Sequence, residues 1–341
     1  MKTLSKVMQM SEKKEILNVK NLKKWFQMKG QMFSNKKSFL KAVDDVSFSL
    51  NAGETLGIVG ESGCGKTTVG RTLMRIYQPT CGEFWYDEKL TGQPVDIFKL
   101  KDRQMQKIRS HIQMVFQDPY ASLNPRMTVQ DIISEGLRVN KLTSSKKETN
   151  EKIADIMEKV GLRPEYMKRY PHEFSGGQRQ RIGIARVMIM KPKVVICDEP
   201  VSALDVSVQA QIINLLEDLK HEFDLTYLFI AHDLSVVKHI SDKIAVMYLG
   251  KVVESAYTDT LFENSLHPYT QGLLHAIPIP NPHTRRMGKR ILITGDIPSP
   301  VDPPEGCRFA KRCPKAFDRC FKETPVLTEK EKNHNVACFL Y

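Results

Sequence analysis

The chain has 341 residues, 41% hydrophobic and 26% charged, an ordinary globular balance that can bury a sizeable core. No apolar stretch approaches 18 residues and Met1–Met8 lacks the apolar core and cleavage site of a signal peptide, so neither a membrane span nor that export route is expected, and the chain should stay in the cytoplasm. The formal net charge of +12 is scattered in short clusters such as Lys13-Lys14, Lys36-Lys37 and Arg285-Arg286, which reads first as a solvated basic face, with nucleic acid and an anionic membrane surface as the alternatives.

In chain order, Ile16–Val19 suggests a first strand and Ala42–Leu50, which partly alternates apolar and polar, a second; together they suggest an antiparallel flank. Thr55–Val59 is an apolar run of buried-strand type. It leads into Gly60-Glu-Ser-Gly-Cys-Gly-Lys-Thr-Thr68, which meets the pattern G-x-x-x-x-G-K-S/T, and then into a helical run ending at Ile76. A strand, a glycine-rich loop and a helix in that order would aim backbone N–H groups and a positive helix end at phosphates, with Lys66 reaching the β/γ-phosphates and the Thr67 hydroxyl on Mg²⁺. Gly60, Ser62, Gly63, Gly65, Lys66, Thr67 and Thr68 are the candidate phosphate-binding set.

His111–Gln117 is strand-like, Asp118–Pro125 interrupts it, and two helical patterns follow, Thr128–Val139 and Asn150–Val160. Phe174-Ser-Gly-Gly-Gln-Arg-Gln-Arg181 opens a further helix, either as a second phosphate-binding shape or simply with Ser175 as an N-cap. Val194–Cys197 reads as a buried strand that ends on adjacent carboxylates, Asp198 and Glu199, suited to a Mg²⁺ ligand and a base that polarises water. An amphipathic helix Val208–Leu219 and strands Leu225–Ile230 and Ile244–Tyr248 follow. The expected fold is α/β, with a largely parallel sheet, an antiparallel β flank and a helical subdomain.

The series P-loop, Gln117, Ser175-Gly-Gly-Gln, Asp198-Glu199, Ser202-Ala-Leu-Asp205 and His232 resembles the nucleotide-binding domain of the ABC ATPases, a P-loop NTPase fold, here assigned to residues 15–260 with a helical subdomain at about 118–185. The resemblance implies a head-to-tail dimer of such domains with ATP sandwiched between the P-loop of one and the Ser175–Gln178 segment of the other. It implies that Phe26 stacks on adenine, with Trp25 as the rival and core packing as the alternative for both. Gln117 would touch Mg²⁺ and the water, Asp198 would hold Mg²⁺ and Glu199 would act as base. Ser175 and Gly177 would grip the opposite subunit's γ-phosphate, Asp205 would lie at the dimer seam, and His232 would sense the γ-phosphate.

One P-loop, one Ser175-Gly-Gly-Gln segment and no sustained heptads favour a transport ATPase over one that works on nucleic acid, and no nucleic-acid partner is expected; with no membrane domain fused, separate membrane subunits are expected. Beyond about Leu261 the chain becomes proline-rich, and 261–341 is expected to be a small, irregular extension. Leu266–Leu274, containing His267-Pro268-Tyr269, and Gly295–Phe309 resemble the C-terminal extension of oligopeptide/dipeptide ABC importer ATPases, with an N-terminal part closer to the F-type than to the D-type subunit. The resemblance implies ATP-driven peptide uptake through two separate membrane-spanning permease subunits, with a second, D-type ATPase as heterodimer partner and an extracytoplasmic peptide-binding protein; nickel or another small solute is the alternative cargo. It places the chain on the cytoplasmic face of the membrane.

Cys307, Cys313, Cys320 and Cys338 follow the spacing C-x5-C-x6-C-x17-C, which matches neither the usual zinc pairs nor ferredoxin runs. Similar importer ATPases carry a [4Fe–4S] cluster at this tail; zinc and unligated buried thiols remain the alternatives. No phosphate-handling residue is expected beyond His232, so ATP hydrolysis by the isolated domain should survive Cys313→Ser.

Overall fold

The computed structural model describes residues 14–28, 38–89, 92–277, 293 and 295–341. Apart from Lys14, the basic pairs named above lie outside these residues, as do Pro278, Pro280 and Pro282. Among the described residues no helix is long and apolar enough to cross a membrane.

Two sheets carry the fold. The strands are β1 (Glu15–Gln27), β2 (Phe39–Asn51), β3 (Thr55–Val59), β4 (Cys81–Tyr86), β5 (Val95–Asp96), β6 (Ile112–Val115), β7 (Val194–Asp198), β8 (Thr226–Ala231), β9 (Lys243–Tyr248), β10 (Lys251–Tyr257), β11 (Thr328–Glu331) and β12 (His334–Val336). An antiparallel sheet runs β2-β1-β4-β5, and a larger one runs β11-β12-β10-β9-β3-β8-β7-β6. Within the larger sheet β9, β3, β8, β7 and β6 are parallel, as buried apolar runs joined by helical crossovers should be.

Side-chain alternation sorts the larger sheet's two faces. Leu228 and Ile230 of β8 join Ile16, Leu22, Val46 and Phe84 of the antiparallel sheet in one core, while Tyr227, Phe229 and Ala231 join the helix Val206–Phe223 in the other. The helices Val129–Val139, Lys146–Lys159 and Gly176–Met188 form the insert between β6 and β7, each started by a hydroxyl N-cap: Thr128, Ser145 and Ser175.

Several features depart from the sequence reading, among them the strands β4 and β5, which no sequence pattern announced. The first strand runs on to Gln27, so Trp25 and Phe26 lie in β1. A strand not expected at all, β10, returns from β9 through Leu249 (φ 42°) and Gly250 (φ 80°), a two-residue hairpin with both residues left-handed.

The tail is also more regular than its prolines suggest. His267 caps a helix Pro268–Ala276, and β12 pairs with β10, so the extension adds the last two strands to the large sheet. The buried Glu254 of β10 anchors it, accepting from Leu266 N (2.6 Å), His267 N (3.0 Å) and His334 Nε2 (2.8 Å). Three donors on one buried carboxylate satisfy it without solvent.

Candidate functional site

The parallel strands end together. Val59 of β3 is in register with Ala231 of β8, and Asp198 of β7 with Ile230. The loop Gly60–Gly65, Glu199, His232 and Gln117 thus leave the carboxyl edge of adjacent strands, where open α/β sheets bind ligands. The loop needs glycine at Gly65, because φ is +106° and a Cβ there would stand 2.0 Å from the Ala42 carbonyl. Ser62 and Gly63 are exposed at the loop's crest, and Thr68 lies within the helix Lys66–Leu73 that follows.

Lys66 is almost fully buried, and its Nζ donates to the carbonyls of Gly60 (2.8 Å) and Glu61 (3.1 Å). Its ammonium is therefore held at the centre of the loop, 3.9 Å from the Glu199 carboxylate. The Thr67 hydroxyl donates to Asp198 Oδ1 at 2.8 Å, while the buried Oδ2 has no hydrogen-bond partner, with Arg71 Nε 4.0 Å away. Burial raises the Asp198 pKa. A hydroxyl beside a carboxylate with one unsatisfied oxygen is the hard-oxygen donor set that suits Mg²⁺, which keeps most of its coordination for water and phosphate. Thr67, Asp198 and the Gln117 amide oxygen are the residues that would hold it.

Two further side chains meet at Glu199. Gln117 Nε2 donates to Glu199 Oε2 at 2.9 Å, and His232 Nδ1 lies 3.4 Å from the same oxygen. Glu199 has φ +46°, unusual for a side chain that gains nothing from it locally, and is fixed there by its N–H to the Ile230 carbonyl (2.9 Å) and by the Ser202 hydroxyl on its own carbonyl (3.1 Å). The strain turns the carboxylate to a place where one amide and one imidazole can reach it.

Trp25 and Phe26 point to opposite sides of β1. The Trp25 indole donates to Asp44 Oδ1 (3.1 Å) beneath Lys41, a structural engagement. Phe26 stands edge-on to Tyr77 (5.3 Å), just past the helix that begins at Lys66, and stays partly exposed. Ser175 and Gln178 cap each other reciprocally, and Gly177 sits so close to Val208 that a Cβ would fall 2.5 Å from its Cγ1. Asp205 caps the next helix by accepting from Val208 N (2.9 Å) and the Ser207 hydroxyl (2.7 Å), and these bonds, Ser207's first, lower its pKa. Ser175, Gly177 and Asp205 thus cluster at two adjoining helix starts, and no hydrogen bond joins them to the phosphate loop of the same chain.

The family profile for ABC transporters matches residues 43–202, and that of the oligopeptide/dipeptide transporter C-terminal region matches 253–320. The oligopeptide transport ATP-binding protein AppF of Bacillus subtilis is 52% identical over 96% of this chain and 97% of its own. OppF of Escherichia coli, also an oligopeptide transport ATP-binding protein, is 50% identical over 96% of each. The chain belongs to the ABC transporter ATP-binding proteins, in their oligopeptide/dipeptide branch. Among solved structures, the dimeric ATP-binding cassette MJ0796 in a post-hydrolysis state with ADP and phosphate matches with a TM-score of 0.62 at 26% identity, covering 71% of this chain and 99% of that one. CbiO1 of Clostridium perfringens matches with a TM-score of 0.61 at 26% identity, covering 74% and 92%.

This ABC ATPase brings its tail to the phosphate loop, which the sequence did not disclose. The Tyr269 hydroxyl accepts from Glu61 N (2.9 Å), and Arg312 forms a two-point pair with the Glu61 carboxylate (2.7 and 3.0 Å). Neither Tyr269 nor Arg312 belongs to the candidate phosphate-binding set, but both touch the loop that carries it. Spacing could not show it, because Glu61 and Arg312 stand 251 positions apart.

Cys307, Cys313, Cys320 and Cys338 line one small cavity together with His267, Pro268 and Phe309. Burial, reinforced by the neighbouring thiols, pushes the Cys307 pKa up to about 11. Among the described residues no group of three or more His, Cys, Asp or Glu side chains is drawn together tightly enough to share one metal ion. The four cysteines therefore face one space without a finished single-ion cage.

Proposed function

We propose that this chain is the ATP-hydrolysing subunit that powers uptake of di- and oligopeptides through two separate permease subunits, working with an extracytoplasmic peptide-binding protein on the cytoplasmic face of the membrane. The observation that carries the reading is the joining, in one chain, of a convergent phosphate site to a C-terminal extension of the oligopeptide/dipeptide type. The relatives AppF and OppF bear oligopeptide transport in their names and match almost end to end.

In this reading Lys66 and the loop amides hold the β/γ-phosphates, and Phe26 stacks on the adenine. When Mg²⁺ is bound at Thr67, Asp198 and Gln117, it neutralises phosphate charge. Glu199 accepts the proton of the attacking water, with Gln117 and His232 keeping the carboxylate in place. Ser175, Gly177 and Asp205 make no bond to the loop of their own chain, which favours their serving a site on a second ATPase, a D-type partner that would complete two sandwiched nucleotides. Closure on ATP would drive the permeases one way and hydrolysis would release them. Purification of the complex from membranes tests the assembly: two permease proteins and a second ATPase should accompany the chain, whereas a ribosomal or DNA partner would overturn it.

The same reading gives the tail a [4Fe–4S] cluster ligated by Cys307, Cys313, Cys320 and Cys338. Four thiols on one cavity supply the donor chemistry, and because each would bind a different iron, they need not crowd as they would around one zinc ion. Protein purified without oxygen should be brown, contain about four irons per chain, and lose its colour on Cys313→Ser. Stoichiometric zinc without iron would replace the cluster with a zinc site, and neither metal would leave four buried thiols.

A further inference from the structure

We propose that Arg312 is a positioning residue for the nucleotide site, acting through Glu61 to set the phosphate loop and to neutralise its one acidic side chain. The inference rests on the reading of Gly60–Thr68 as the ATP phosphate loop. Glu61 is the only carboxylate in that segment, and every polar atom it has is engaged. Its carbonyl accepts from Lys66 Nζ (3.1 Å) and Cys64 N (3.2 Å), its N–H goes to the Tyr269 hydroxyl (2.9 Å), and its carboxylate takes both Arg312 Nη1 (2.7 Å) and Nη2 (3.0 Å). Two of these four partner residues, Tyr269 and Arg312, belong to the C-terminal extension. The residue whose carbonyl cradles Lys66 is thus held from outside the nucleotide-binding core.

The holding groups are themselves fixed. The Arg312 side chain is only 6% exposed and also donates to the Tyr248 hydroxyl (3.3 Å). Tyr248 packs edge to face on Tyr269 and Phe309, which lie tilted against each other, with centroids 4.7 to 5.4 Å apart, beneath the pair. A planar guanidinium bound at two points to a carboxylate fixes both position and orientation, which a lysine could not. Electrostatics adds to geometry. A bare Glu61 carboxylate would repel a triphosphate bound by its own loop, and Arg312 cancels that charge.

Nucleotide titration of the full-length chain with MgATP tests the proposal, with thermal melting to check folding and Lys66→Ala as control. Arg312→Ala should weaken binding by about tenfold, the weight of one partly screened charge. Arg312→Ala/Glu61→Gln should recover most of that loss, because the repelling carboxylate is gone. In the assembled complex, Arg312→Ala should raise KM for ATP more than it lowers kcat. Unchanged affinity in Arg312→Ala, a double variant no better than the single one, or a fall in kcat with KM unchanged would each overturn it. Should Arg312→Ala not fold, Tyr269→Phe removes one oxygen and keeps the ring: a few-fold weaker affinity supports the proposal and wild-type affinity overturns it. Loss of binding in Lys66→Ala with none in Arg312→Ala or Tyr269→Phe would refute this inference alone, while retained binding in Lys66→Ala would refute the phosphate-loop reading beneath it.

Discussion

Glutamine in place of Glu199 is expected to slow ATP hydrolysis by at least about a hundredfold, the scale of losing a general base, while ATP still binds. The side chain keeps its shape and can still accept from Gln117 Nε2, now 2.9 Å away, but it no longer takes a proton from water. The backbone that strains Glu199 to φ +46° is held by its N–H to the Ile230 carbonyl, which the substitution leaves alone. The mutant should therefore accumulate as an ATP-bound, closed pair of ATPase subunits. Single-turnover hydrolysis and nucleotide-dependent association, measured side by side, distinguish the cases: a variant that cannot bind ATP would make Glu199 structural and place the base elsewhere.

Removal of the Lys66 ammonium should abolish turnover and weaken nucleotide binding together. The group is nearly buried, ties the two loop carbonyls of Gly60 and Glu61, and lies 3.9 Å from Glu199. Alanine would take the ammonium's bond from the Gly60 carbonyl, leave the Glu61 carbonyl with Cys64 N alone, and leave the phosphates without their cation. Steady-state hydrolysis by the assembled complex, with the sites of any partner ATPase silenced, measures it; undiminished turnover would mean the phosphates bind elsewhere.

The nucleotide half of the molecule was legible because its chemistry sits at the ends of short apolar runs. Thr55–Val59, Val194–Cys197 and Leu225–Ile230 are each followed within two residues by a candidate site residue, Gly60, Asp198 and His232, and parallel pairing then brings those ends side by side. Phe26 and Trp25 were harder to separate, since adjacent residues on a strand look alike until Asp44 engages one of them. The tail hid its order for two reasons. Strand β11 reads Thr-Glu-Lys-Glu and is exposed throughout, so it carries no hydrophobic period, and β10 turns back through Leu249-Gly250, which lacks the Asn-Gly or Asp-Gly signal of a tight hairpin. The Arg312–Glu61 and His334–Glu254 pairs, 251 and 80 positions apart, exist only once the sheet has closed, so no local pattern announces them.

The central claim is that hydrolysis at this site drives peptide uptake, and transport in sealed vesicles tests it most directly. The complex, reconstituted with its permeases and binding protein, should accumulate a labelled oligopeptide only when MgATP is present on the side of the ATPases, and should stop when Glu199 is replaced by glutamine. Peptide uptake that persists in the Glu199→Gln complex, or ATP-driven uptake of nickel with none of peptide, would contradict the account.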